Sequence, residues 1–301
     1  MEFFKQNTCI DFMKQRFIAY AFSLLVFVAS LVSLGVSHLE LGLDFTGGMQ
    51  IELHYPELVD PSSLRQLLFQ AGYPEASVVR YGSSQDVQVT LSSKHMVDAA
   101  VFHQLVPQAE VVRVDYVGPQ VGKQLAQQGV LAIVVSLIGT MIYIALRFEI
   151  RFALSAAIAL IHDPVLILGV FSLFHIPFDL ISLAALLTVI GYSLNDTVVI
   201  FDRVRENFIR LRKMSPYEVM NTSINQTLSR TIMTSGLTLM VVVVLYCYGG
   251  AMLQGFALAL MIGIVIGTYS SIYVAGSLAL AMGLSKEHLM PVQKQKAESY
   301  P

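Results

Sequence analysis

Six stretches of the chain are apolar almost without interruption: residues 17–37, 127–146, 151–175, 180–201, 230–248 and 254–282. Each is close to the ~20 residues that an α-helix needs to cross a hydrocarbon core ~30 Å thick, so the pattern predicts six membrane-spanning helices. Between the first two, residues 38–126, the periodicity changes. "MQIELHY" alternates as a strand does, and "DPSSLRQLLFQAG" has an Asp cap and helical spacing. "SVVRYG" and "DVQVTLS" read as paired strands, "KHMVDAAVFHQLV" as a second helix and "AEVVRVDYV" as a last strand. The order β-α-β-β-α-β is that of the ferredoxin-like split motif. The predicted fold class is therefore an α-helical membrane protein with a small α+β domain between its first and second spans. Two further patterns refine the spans. "SPYE", Ser215 to Glu218, is a capping box with Pro216 at the first helical position, so a helix starts there and leads into the fifth span. Along the last span small residues recur every fourth position, at Gly255, Ala259, Gly263, Gly267, Ser271, Ala275 and Ala279, a face suited to close helix packing.

Charge then orients the spans. Lys5, Lys14 and Arg16 precede the first; Arg147 and Arg151 fill the second-to-third connection; Arg203, Arg205, Arg210, Arg212 and Lys213 follow the fourth; Lys286, Lys294 and Lys296 follow the last. The opposite connections, "HIPFD" and "GGAMLQG", carry no Lys or Arg. The positive-inside rule thus predicts cytoplasmic residues 1–16, 202–229 and 283–301, both termini included, with residues 38–126 on the outside. Composition agrees with a membrane protein: of 301 residues 55% are hydrophobic and 13% charged, where a soluble domain carries about a quarter charged residues. A net charge of −2 excludes nucleic-acid binding, which needs a basic surface. Cys9 and Cys247 are too few and too separated for a zinc site or a disulfide framework. The first span, about 20 residues long with no A-x-A pattern, reads as an uncleaved anchor.

The chemistry on offer lies within the spans. "GYSLNDTVVIFDRVREN" places Asn195 and Asp196 at the end of a long apolar run. A carboxylate near a bilayer centre costs about 2.5–3.5 kcal/mol, so Asp196 is the central candidate for binding and releasing an ion; a carboxylate at the cytoplasmic rim is the alternative. Arg230, where the helix after "SPYE" becomes apolar, stands at a comparable depth, either as partner to Asp196 or as a positive-inside anchor. A carrier using both must bring them together in one state and part them in another. Asp163 in "ALIHDPVLI" is a second intramembrane carboxylate, read either as part of a proton path with Ser193 and Asn195 or as a structural hydrogen bond. Pro164 removes a backbone donor beside it. His162 lies about 100° round the helix, which predicts that it and Asp163 need not form one site. At the domain's two ends, "DFTGG" and "YVGPQVG" supply candidate hinges at Gly47, Gly48, Gly118 and Pro119. There is no Walker A loop and no H-E-x-x-H, and "GYSLND" fits neither the G-x-G-D of intramembrane aspartyl proteases nor the G-x-S-G of rhomboids. Bond-breaking catalysis, metal sites and cofactors are not expected.

Taken in order, "DFTGG", "YVGPQVG", "LRFEIRF", "AALLTVIGYSLNDTVVIFDRVREN" and "LSRTIMTSG" resemble the SecF subunits of the bacterial Sec protein-export system, over nearly the whole chain. The resemblance implies half of a resistance-nodulation-division transporter in the bacterial inner membrane, with a periplasmic domain after the first span. It implies SecD as the partner completing a twelve-helix core, with YajC, the SecYEG channel and the translocating preprotein nearby. It further implies that SecD and SecF use the proton gradient to assist late translocation and release of secreted polypeptides, and that the family's essential charged pair falls on Asp196 and Arg230. Some marine relatives are thought to run on sodium. Ser193, Asn195 and Thr197 would serve either ion, and the proton is favoured because a dehydrated sodium wants several more oxygens than one carboxylate provides. A small-molecule or lipid exporter half and a structural subunit of a membrane complex are the two other readings.

Overall fold

The computed structural model describes residues 10–74, 76–80, 85–92 and 106–284. Six helices in it are long and apolar enough to cross a membrane. After a short 3-10 turn at Met13–Gln15, α1 runs over Arg16–Val36, and a four-residue helix, α2, covers Leu43–Thr46. The sheet domain follows, with β1 (Gly48–His54), α3 (Pro61–Gln70), β2 (Ser77–Arg80), β3 (Asp86–Ser92) and β4 (Glu110–Val117). The chain then returns through α4 (Pro119–Arg147), α5 (Ile150–Leu173), α6 (Leu180–Arg210) and α7 (Pro216–Tyr248). The last rod is α8 (Ala251–Ser270), a π-helical stretch at Ser271–Gly276 and α9 (Ser277–Ala281).

The sheet is antiparallel with order β2-β3-β1-β4, the strand order of the ferredoxin-like split motif. Alternation decides its faces. Ile51, Leu53, Val78, Val87, Val89 and Leu91 point to one side and bury against Leu64 and Leu68 of α3. Asp60 starts α3 by accepting a hydrogen bond from the Ser62 N–H at 3.2 Å, ahead of Pro61 in the first turn. The expected helix "KHMVDAAVFHQLV" falls almost wholly outside the described residues.

Several helices outrun their apolar windows. The 31 residues of α6 make a rod ~46 Å long, and its polar end continues beyond the hydrocarbon thickness as Asp202 to Arg210. The 33 residues of α7 form one helix, opened by a complete Ser215–Glu218 capping box. Asn207 on the tail of α6 ties the two helices, donating to Ser223 Oγ and Gln226 Oε1 at 2.8 Å each. The chain's first described residues dock at the same end, where Asn221 Oδ1 accepts from the Phe12 N–H at 2.9 Å and Tyr217 OH donates to Asp11 at 2.6 Å.

Within the bundle, two apolar clusters are separated by a polar layer. One cluster gathers Phe148, Phe152, Phe201, Val204, Phe208, Met220, Ile224 and Val274. The other, toward the sheet domain, gathers Phe45, Phe171, Phe178, Leu183, Leu186, Val189, Ala257 and Leu260. Between them in sequence on four of the helices lie His162 and Asp163 (α5), Ser193, Asp196 and Thr197 (α6), Thr231 and Ser235 (α7), and Ser270 and Ser271 of the last rod, all buried. Buried polar groups in an apolar slab persist only where they are hydrogen-bonded, so this layer is where partners have to be found.

Candidate functional site

The small-residue face brings α8 onto α6 closely enough to build that layer. A Cβ on Gly255 would stand 2.7 Å from Ser182 Oγ, one on Gly267 would stand 3.0 Å from the Ser193 Cβ, and one on Gly263 would overlap Val189. Ser271 continues the same face, 2.9 Å from Thr197 Oγ1 and donating to the Ser193 carbonyl at 3.3 Å. It opens the π-helical stretch, a helix irregularity that recurs at functional sites.

The layer holds two carboxylates on different sides of α6. Asp163 is 1% exposed and fully engaged. Its Oδ2 accepts from Ser270 Oγ at 2.8 Å and from Ser193 Oγ, and its Oδ1 lies 2.9 Å from His162 Nδ1. The other ring nitrogen of His162 is 2.7 Å from Ser23 Oγ on α1, and the ring stacks on Phe27 at 5.8 Å. His162 and Asp163 therefore form one site, against the expectation from their spacing: side chains adjacent in sequence start 100° apart, and here His162 reaches toward α1 and Asp163 toward α6 and the last rod, yet Nδ1 and Oδ1 still meet between them. Pro164 leaves α5 a continuous helix.

Asp196 is 3% exposed, with hydroxyls of α7 and α8 as its partners. Ser235 Oγ of α7 donates to its Oδ2 at 3.3 Å. Behind Ser235 stand Thr268 Oγ1 at 3.0 Å and Tyr192 OH at 3.4 Å, giving a short chain of hydroxyls between α6, α7 and α8. Arg230 lies within electrostatic range of Asp196, but no ion pair joins the two among the described residues. The arginine is exposed on α7 beside Met233 and Leu237. Asn195, grouped with the polar path by sequence, is exposed about 100° round α6 from Asp196 and is not brought to either carboxylate. Ser193 belongs to the Asp163 side. Sequence reasoning missed Ser235 and Thr268, whose one signal was a hydroxyl at the depth of Asp196 on a neighbouring span.

The glycines at the domain's ends form a tight junction. Gly47 has φ +70°, and a Cβ there would meet the Pro119 Cα at 2.9 Å; a Cβ on Gly122 would meet the Gly47 nitrogen at 2.8 Å. Gly48 opens β1 opposite Val117, and Gly118 is the N-cap of α4 with Pro119 in its first turn. Backbone packs on backbone here, with room for hydrogen at each of Gly47 and Gly122 and nothing larger.

Comparison with known proteins places this architecture. The family described as protein export membrane protein SecD/SecF, C-terminal, matches residues 97–285, and the SecD/SecF GG motif matches residues 32–55. The protein translocase subunit SecF of Vibrio alginolyticus is 46% identical over 301 residues, covering 97% of this chain and 96% of that protein. That of Escherichia coli O157:H7 is 42% identical, covering 95% and 92%. The crystal structure of SecDF from Thermus thermophilus, described as a translocon-associated membrane protein, superimposes with a TM-score of 0.85 at 35% identity over 92% of this chain. SecDF in its super-membrane-facing form gives 0.70 at 34% identity. The chain spans 39% of the length of either SecDF chain. With a family model matched over more than half of its residues and relatives matched along nearly all of them, the chain belongs to the SecD/SecF family of protein export membrane proteins.

Proposed function

We propose that this chain is the SecF subunit of a Sec protein translocase: with a SecD chain, and beside YajC and the SecYEG channel, it uses the proton motive force to assist late translocation and release of secreted polypeptides. It catalyses no bond-breaking step. The observation that carries the reading is Asp196, buried between three helices with the hydroxyls of Ser235 and Thr268 as partners and an arginine within electrostatic range that forms no ion pair with it among the described residues. When Asp196 is charged it attracts Arg230, and when it takes up a proton the attraction ends, so α7 is free to shift against α6. Each charge crossing 100 mV supplies ~2.3 kcal/mol, comparable with the cost of a buried carboxylate. The surrounding hydroxyls of Ser235, Thr268 and Tyr192 suit a proton chain; a dehydrated sodium would want more oxygens than these provide.

We take the membrane to be the bacterial inner membrane, with the sheet domain periplasmic and both termini cytoplasmic. The basic α6–α7 connection and the first described residues share one end of the bundle, in keeping with that orientation. The test is export of a secreted protein from vesicles holding this chain, SecD and the channel under an imposed proton gradient. Asp196→Asn at matched expression is expected to abolish the gradient-dependent part of export while the complex still assembles. Unchanged export would place ion coupling on another residue or on SecD.

A further inference from the structure

The "DFTGG" segment does something that a turn does not require. It forms α2, and the carboxylate of Asp44 reaches across 136 residues of sequence, its Oδ2 accepting from the Leu180 N–H at 3.0 Å. Leu180 is the first residue of α6, whose N-cap Asp179 accepts from the Ser182 N–H at 2.7 Å. Two carboxylates thus hold the start of α6, one from its own cap and one from the base of the sheet domain. The first N–H groups of a helix have no partner within it and carry the positive end of its dipole, so an acidic side chain there is both an acceptor and a favourable charge.

The surroundings make this contact a strut. Gly42 N–H donates to the Phe178 carbonyl at 2.8 Å, and Phe178 N–H donates to the Glu40 carbonyl at 2.7 Å, so the approach to α2 runs alongside the α5–α6 connection. Phe45 is buried and stacks on Phe178 at 6.2 Å. On the other side, Gly47 is locked against Pro119 and Gly122 of α4, and one residue later β1 begins. A displacement of the start of α6 therefore meets the sheet domain within four residues, through side-chain and backbone contacts with no slack loop between. The same α6 carries Asp196 sixteen residues further along one continuous helix.

We propose that Asp44 is a positioning residue that couples α6 to the sheet domain, so that a movement of α6 set by the charge on Asp196 is passed to β1 through the Asp44–Leu180 contact. The inference rests on the coupling role proposed for Asp196. It replaces the reading of Gly47 and Gly48 as a free hinge: the glycines permit the close docking, and Asp44 transmits.

The test measures the position of the sheet domain in the reconstituted complex with SecD. Spin labels at Val79 on β2 and Ile150 at the start of α5, both exposed, report the domain-to-bundle distance in a background with Cys9 and Cys247 replaced by serine. Asp196→Asn, which fixes the uncharged state, is expected to shift that distance when Asp44 is present and to leave it unshifted in Asp44→Ala. Asp44→Asn, which keeps an oxygen acceptor, is expected to restore the shift, and gradient-dependent export in Asp44→Ala to fall about tenfold, a cap-sized loss of ~1.4 kcal/mol. A shift that persists in Asp44→Ala overturns the proposal. Failure of both Asp44 variants to assemble also overturns it, because the contact would then build the bundle and not transmit its motion. No shift with Asp44 intact overturns the Asp196 coupling itself, and Asp44's part in it.

Discussion

Two buried carboxylates in one polar layer are held in opposite ways, and this predicts opposite responses to losing their charge. Asp163 takes hydrogen bonds from Ser193 and Ser270 and has His162 against its other oxygen. An asparagine there has one acceptor oxygen in place of two and no charge to strengthen the serine hydrogen bonds, so Asp163→Asn is expected to destabilise the fold by about 1–3 kcal/mol. Asp196 has the Ser235 hydroxyl at 3.3 Å and Thr268 beside it, and no ion pair to Arg230 among the described residues, so its charge is less fully compensated. Asp196→Asn should leave stability unchanged or raised, because the amide removes a charge that the surroundings support poorly. Unfolding of both variants in detergent by thermal shift or SDS titration checks the contrast, and equal losses would remove the distinction between a structural and an ion-coupling aspartate.

At the scale of the helices, the contact between α6 and α8 depends on missing side chains. A Cβ on Gly263 would overlap Val189, and one on Gly267 would press on Ser193 at 3.0 Å. Gly263→Leu is therefore expected to cost more than about 2 kcal/mol, by forcing α8 off α6 and spreading the polar layer. A Cβ on Gly139 of α4 would meet nothing within 4 Å, so Gly139→Ala should be neutral, or stabilising by up to ~1 kcal/mol through helix propensity. Melting curves of the two variants decide it. The same reasoning assigns the α1–α5 pair, where Gly169 admits Ser30, Ser33 Oγ donates to Ser172 Oγ at 3.0 Å, and Ser172 Oγ donates to the His38 carbonyl at 2.6 Å.

For the whole molecule, the helices differ in how much of themselves they bury. The most apolar stretches of α5, α6 and the last rod are half or more buried, whereas those of α4 and α7 are 11% and 17% buried. Arg230 stands on the open face of α7, among Met233, Leu237 and Met240. An arginine facing lipid at depth costs about 2.5–3.5 kcal/mol, which a second protein surface over that face would relieve. A cysteine at Leu237 is accordingly expected to cross-link to SecD in membranes that contain both chains, and a cysteine at Leu146, exposed at the far end of α4, serves as the comparison site. Equal cross-linking at both sites would argue against the α7 face as the contact.

The six spans, the four strands with a helix between the first two, and Asp196 and Arg230 as the charges to explain are legible in the chain alone, because burial in lipid and pleated alternation write directly into hydropathy at periods of 3.6 and 2. The capping box at Ser215 and the small-residue face of the last rod were equally legible, being local in sequence. Contacts between residues far apart in sequence become visible only once the chain is folded. Examples are His162 turning onto Asp163 with Ser23 behind it, Ser235 as the donor to Asp196, Asn195 on the outside of α6, and Asp44 at the start of that helix. No periodicity encodes these, since each depends on which faces of two helices meet and on the rotamer that the meeting leaves open.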